Sequence, residues 1–112
     1  MATITSGDTG PFLVTLKFNG GIYALSSGSD TVKAAFLDAK SGSLITSVVT
    51  MGSGNAGADW TNGVVSCIFD ATNMALLANY DGQTIALEIE VTKPTGKQTF
   101  RGNYVCRKGY IP

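Results

Sequence analysis

The sequence predicts an all-β chain: an antiparallel immunoglobulin-like β-sandwich of seven or eight strands, with one short helix near residues 71–79. A jelly roll or small barrel is the alternative arrangement. Apolar and polar residues alternate with a period of two through several short segments, as in strands with one buried face. Glycine occurs 14 times in 112 residues, mostly between these segments. The content of 44% apolar against 14% charged residues is typical of a packed core and not of a disordered chain.

In the first half of the chain, short alternating runs are separated by turns. The expected strands are residues 3–6, 11–18, 22–25, 31–39 and 43–50. Asn19-Gly20-Gly21 indicates a tight turn, because Asn and Gly tolerate positive φ. In the last of these strands, Leu44 and Val48 form one candidate inner pair. Ile45 and Val49 form the other, because a slip of one residue exchanges the two faces.

The second half contains the clearest alternation. Its expected strands are residues 64–69, 83–92 and 97–108. Within the middle one, the residues expected to face the core are Ile85, Leu87, Ile89 and Val91. Before it, Asp70 or Thr72 can cap a short helix by accepting hydrogen bonds from the free N–H groups of the first turn.

One domain is expected over residues 1–112, with a short arm at 1–6 and a tail at 109–112. The N-terminus has neither a basic start nor a long apolar run, which argues against a secretory signal, and no segment predicts a membrane span. Synthesis in the cytoplasm is therefore expected. In a reducing compartment Cys67 and Cys106 are expected to be buried thiols, with a bridge between two strands as the alternative.

The composition argues against most site chemistry. The chain has no His, which removes the commonest general base and zinc ligand, and two cysteines cannot build a four-ligand cluster. Eight basic and eight acidic residues give a net charge of zero, which disfavours nucleic-acid binding. Glu88 and Glu90 are expected to face outward, opposite Arg101 or Arg107, as cross-strand charge pairs. No catalytic residue, cofactor, metal, nucleic acid or membrane is therefore predicted.

Several short motifs resemble the small immunoglobulin-like modules of tailed-bacteriophage virions. The resemblance covers nearly the whole chain. Its positions are Gly7-Asp8 before an alternating strand, Thr31-Val32-Lys33-Ala34-Ala35-Phe36-Leu37-Asp38 followed by Gly42, then Trp60, Gly63, Val65 and Phe69, and finally Gly82, Leu87, Ile89, Val91 and Gly109-Tyr110-Ile111. In that family such modules form the amino-terminal attachment domain of baseplate or tail-fibre proteins, and similar folds occur alone as capsid decoration proteins.

The resemblance implies a virion structural protein, with capsid decoration or cementing as the first expectation. Its partners would be the major capsid protein and copies of itself, and its location the capsid surface. A tail, neck or baseplate adaptor is the alternative. A carbohydrate-binding module is a further alternative, with Trp60 beside Tyr23 or Tyr80 as its aromatic platform.

The residues expected to bind partners lie in the termini and in one glycine-rich loop, because loops and termini carry function on rigid β frameworks. They are Ile4, Met51, Asn55, Trp60, Tyr110 and Ile111. Ile4 and the two tail residues are apolar in segments too short for a core of their own. They are therefore expected either to fold back on this chain or to lie on a neighbouring subunit.

Overall fold

The computed structural model describes residues 2–109, whose regular structure is mostly β-strand with one short α-helix, as the sequence predicts. The strands are β1 (Thr3–Thr5), β2 (Phe12–Thr15), β3 (Lys17–Phe18), β4 (Gly21–Ile22), β5 (Thr31–Asp38), β6 (Val49–Met51), β7 (Val64–Cys67), β8 (Thr84–Lys93) and β9 (Gly96–Arg107). The α-helix, α1, is Ala71–Ala75, and two 3-10 helices are Trp60–Asn62 and Leu76–Tyr80.

A curled five-stranded sheet in the order β1-β9-β8-β5-β6 forms the main layer. Neighbouring strands within this sheet are antiparallel, except that β1 runs parallel to β9, with Ile4 opposite Cys106. Strand β8 lies in the middle, and its inner face consists of Ile85, Leu87, Ile89 and Val91, each no more than 2% exposed. The predicted inner face of this strand is therefore confirmed, whereas Ala86, on its other face, is buried as well.

A smaller second layer covers the inner face of this sheet. It consists of the antiparallel pair β2–β7, the short hairpin β3–β4 and the helical segment after β7. Phe36 of β5 joins the layers, because its ring lies 5.0 Å from that of Phe69 and 5.9 Å from that of Phe12. One cluster of buried side chains extends through both layers.

Helix α1 begins where the sequence predicts. The Asp70 carboxylate accepts a hydrogen bond of 2.7 Å from the backbone N–H of Asn73, so it satisfies one of the free donors of the first turn. Met74 and Leu77 are buried, and the segment continues as a 3-10 helix to Tyr80. The helices of residues 2–109 are too short or too polar to cross a bilayer.

The predicted strand over residues 11–18 is interrupted at Leu16. Its backbone N–H donates to Gly63, and its carbonyl accepts from Tyr23. These bonds draw the backbone inward, so that the chain forms β2 and then the separate hairpin β3–β4. Phe18, which an unbroken strand would place on the same face as the buried Leu16, is 47% exposed. The predicted return strand at 22–25 is likewise reduced to Gly21–Ile22.

The predicted strand over residues 43–50 is also shorter, because a side chain interrupts its pairing with β5. The Thr46 hydroxyl accepts the backbone N–H of Phe36 at 3.0 Å, in place of a backbone carbonyl. Only Val49–Met51 remains as β6. Ile45 and Val49 pack on the core and Leu44 and Val48 are exposed, which settles the register that the sequence left open.

Gly63 holds the hairpin against the second layer. Its φ of 75° is left-handed, and an added Cβ would lie 3.0 Å from the carbonyl oxygens of Leu16 and Tyr23. Gly42 has nearly the same φ, 76°, but no atom lies within 4 Å of its Cβ position. The two glycines therefore differ in crowding and not in backbone conformation.

We predict that Gly63→Ala lowers the free energy of unfolding by at least about 1 kcal/mol more than Gly42→Ala does. Both substitutions carry the left-handed strain, roughly 1–2 kcal/mol. Only Gly63→Ala must also displace two backbone carbonyls. Urea unfolding of the two variants measures the difference. Equal losses of unfolding free energy would contradict the effect that we assign to crowding at Gly63.

Candidate interaction surface

A cleft of about 270 Å³ opens on the side of the molecule where β2 and β3 face β9. We name it the side cleft. Its walls include Val14, Leu16, Lys17, Phe100, Arg101 and Tyr104. Leu87 and Ile89 of the central strand also line it. The side cleft thus combines apolar walls with two cationic residues, a lining that suits a polypeptide more than a small polar ligand.

Aromatic rings continue the apolar surface beyond the side cleft. The Tyr23 ring lies edge-on to that of Phe100 at 5.0 Å, and the Phe18 ring follows at 6.1 Å. Ile22, on the same hairpin as Phe18, is 57% exposed. The hairpin β3–β4 therefore presents apolar side chains to solvent next to the side cleft.

An ion pair anchors the loop that follows this hairpin. The Lys93 Nζ lies 2.6 Å from the Asp30 carboxylate and 3.0 Å from the carbonyl oxygen of Ala24, which it donates to. The same Nζ lies 5.1 Å from the centre of the Tyr23 ring, within reach of a cation–π contact. The end of β8 thereby fixes the position of Tyr23, and through it the aromatic group.

The environment of Asp30 favours its charged form. Burial on its own raises the pKa of this carboxyl, but the hydrogen bonds from Lys93 and from the backbone N–H of Ser26, with the charge of Lys93, outweigh it. The net result is a pKa below the ordinary value of 3.8. Ionised Asp30 therefore contributes to stability at neutral pH.

The outer face of the main sheet carries a smaller hollow of about 100 Å³, which we name the outer hollow. Leu44 and Val48 border it, with Lys33, Glu88 and Glu90 beside them. As the sequence predicts, both glutamates lie on the outer face. The ion pair formed by Glu90 is with Lys97 at 3.9 Å, whereas Glu88 lies in register with Arg101.

Of the residues expected to bind partners, those that the structure describes belong mainly to the interior. Ile4 folds back on this chain and is 3% exposed, which is one of its two expected positions. Met51 and Trp60 are also buried, at 2% and 8%. Tyr110 and Ile111 lie outside the described residues. A role of these residues in partner binding stays a prediction.

Asn55 is half-buried, and it ties the glycine-rich loop to β7. Its side-chain amide donates to the backbone carbonyl of Ser66 at 2.9 Å, while the Ser66 hydroxyl donates to the carbonyl of Ala56 at 2.6 Å. This loop therefore has a defined conformation, which the run of small residues in the sequence does not indicate.

Trp60 does not offer an open ring to a sugar, because its indole lies in the core and its Nε1 is buried without a hydrogen-bond partner among residues 2–109. Tyr23 packs against Phe100. The aromatic platform that a carbohydrate-binding module needs is thus not formed by Trp60 in this conformation.

Both cysteines are free and buried, in line with the first of the two expectations for them. Burial raises the pKa of the Cys67 thiol to about 12, and burial with the nearby Asp81 charge also raises the pKa of Cys106, against the smaller effect of Arg107. The Cys106 thiol donates to the carbonyl of Leu77 at 3.2 Å. Both thiols therefore remain protonated near neutral pH and pack as small apolar groups. Residues 2–109 bring no three potential metal-ligating side chains together.

The sequence pattern did not reveal the side cleft, although Phe100 and Tyr104 fall on one face of the last strand by their even spacing. That alternation indicates a buried face. The alternation does not show whether a second strand pairs with the other edge of β9. The open side between β2 and β9 could therefore not be predicted. For Arg101 the sequence predicts only a cross-strand charge pair on the outer face of the sheet.

No protein-family model, no curated protein and no solved structure matches this chain.

We predict that Lys93→Met lowers the free energy of unfolding by about 1–2 kcal/mol at pH 7, because it leaves Asp30 buried without its cation. The native pKa of Asp30 is depressed, so its contribution is present above the unfolded-state pKa and is lost as the pH falls through the native pKa. The difference between wild type and variant should therefore shrink below about pH 4. Urea titrations from pH 7 to pH 2.5 measure it.

Lys97→Met is the matched control, since Lys97 makes only the exposed 3.9 Å pair with Glu90. Its effect should stay within about 0.5 kcal/mol. A Lys93→Met variant as stable as this control at pH 7 would contradict the anchoring role of the Asp30–Lys93 pair.

Proposed function

We propose that the chain is a structural protein of a tailed-bacteriophage virion, most specifically a capsid decoration or cement protein that bridges capsid subunits on the assembled head. The observation that carries this proposal is large apolar side chains displayed on a β framework. Phe18 and Ile22 are roughly half exposed on the hairpin next to the side cleft, as are Leu13 on β2 and Leu44 and Val48 at the outer hollow. Contiguous apolar surface of this kind is typical of protein contact sites.

We also infer that the fold is immunoglobulin-like, in line with the sequence resemblance. In such folds strands C, F and G form one sheet, which C′ can extend, and strands B and E belong to the other. Strands β5, β8 and β9 have the order and direction of C, F and G, with β6 in the place of C′. The antiparallel pair β2–β7 has the place of B and E.

In this proposal the protein acts mechanically. After synthesis in the host cytoplasm, copies attach to the capsid surface across the joints between major capsid subunits and contact one another. Because they bind the assembled shell and not free subunits, they stabilise the shell by mass action. Each contact can be modest in area, since the symmetry of the shell repeats it many times. No catalytic step is part of this role.

The number of copies per virion tests the proposal. Quantitative mass spectrometry of purified particles, with the major capsid protein as the internal standard and the portal protein as a low-copy reference, gives this number. We expect hundreds of copies, in a simple ratio to the capsid subunits.

A count of about six to thirty copies would overturn the cement role and favour the alternative, a tail, neck or baseplate adaptor, because those structures have low rotational symmetry. Absence from the particles would overturn both virion roles.

A further inference from the structure

The long strand β9 is paired along one side only for most of its length. On the β8 side its pairing runs from Gly96 to Val105, whereas on the other side β1 covers only residues 105–107. The backbone N–H of Cys106 donates toward Gln83, and that of Val105 donates in the opposite direction, to Ala2.

Backbone groups alternate in direction along a strand, so those of Thr99, Arg101 and Asn103 point the same way as those of Val105, away from β8. None of these three residues has a backbone hydrogen bond on that side within residues 2–109. The free edge of β9 therefore extends over residues 97–103.

Strand β2 presents a second free edge across the side cleft. It pairs only with β7, and the N–H of Leu16 donates toward Gly63 on that side. By the same alternation, the backbone groups of Leu13 and Thr15 point away from β7. The side cleft thus lies between two unpaired strand edges that belong to different layers.

The charged residues that line the side cleft are both cations. Lys17 and Arg101 are its charged lining residues, and neither forms an ion pair within residues 2–109. Lys97 is on the same outward face of β9 as Arg101. Glu88 and Glu90 are on the adjacent strand β8, one strand further from the free edge than these two cations.

We propose that the side cleft binds an extended segment of a different protein chain, which adds a strand along the free edge of β9. The segment would alternate apolar side chains, packed inward against Phe100 and Val14, with acidic side chains facing outward beside Arg101. Backbone hydrogen bonds would supply affinity, and the alternate side chains specificity. This inference goes beyond the proposed function and holds or fails independently of it.

The cations Arg101 and Lys97 are the reason to expect a different chain, and not a second copy of this one, as the occupant. Antiparallel pairing of β9 with β9 of another copy near the middle of the free edge would place Arg101 and Lys97 of one copy close to the cations of the other. Like charges at cross-strand positions are destabilising, and cations on an edge strand are a common guard against self-association. An acidic partner strand would instead be attracted by the same two cations.

An NMR titration of the full chain tests the proposal. The probes are blocked octapeptides that alternate Glu with Val, Ile, Phe or Tyr. One control set replaces Glu with Lys, and another carries N-methyl groups on alternate amides, which block hydrogen bonding along one edge and keep the side chains. Arg101→Glu is the test variant. Lys33→Glu is its matched control, because it makes the same charge change at an exposed residue of β5, on the outer hollow.

We expect saturable binding of acidic peptides, with the largest shift changes at the amides of Thr99, Arg101 and Asn103. Arg101→Glu should raise the Kd about tenfold, and Lys33→Glu should leave it within about twofold. No binding by any acidic peptide would overturn the proposal. Equal binding by the Lys or N-methylated sets would do so too, as would a dimer of the free protein paired through β9.

Discussion

The rest of the structure depends on the burial of β8 between two long neighbours. This strand pairs with β5 from Thr31 to Asp38 and with β9 from Gly96 to Val105. Its inner side chains are almost fully buried, and each such residue contributes about 1.5–3 kcal/mol of hydrophobic stabilisation. Because β8 is paired on both sides, it sets the register of the main sheet and the surface on which the second layer packs.

The side cleft follows from the difference in size between the two layers. The main sheet has five strands, whereas only the pair β2–β7 and a short hairpin lie opposite it. The smaller layer does not reach the middle of β9, so one side of the molecule remains open. The Asp30–Lys93 pair and Gly63 hold the hairpin at the border of this opening. A stable core and an accessible strand edge therefore have the same structural origin.

The sequence predicts the parts of the fold in which side-chain pattern and burial agree. Strands β5, β8 and β9 and the Asp70 cap are found within a residue or two of their expected positions. Where a single polar group or backbone bond decides the structure, the pattern fails. The Thr46 hydroxyl shortens one expected strand, and the backbone bonds of Leu16 divide another.

The candidate site was less predictable than the fold. Residues chosen for their apolar character in loops and termini, such as Met51 and Trp60, are buried in the core. The side cleft depends instead on backbone groups without partners, and every residue type except proline carries both the N–H and the C=O group. A sequence pattern reports which face of a strand is buried, but it does not report which edge is paired.

Amide hydrogen exchange along β9 tests the open edge most directly. The amides of Phe100 and Gly102 point toward β8, and those of Thr99, Arg101 and Asn103 point into the opening. The account predicts an alternating pattern, with the first two exchanging at least about a hundredfold more slowly than the other three in the free protein. Uniform protection from Thr99 to Asn103 would show that the edge is already paired, and would contradict the account.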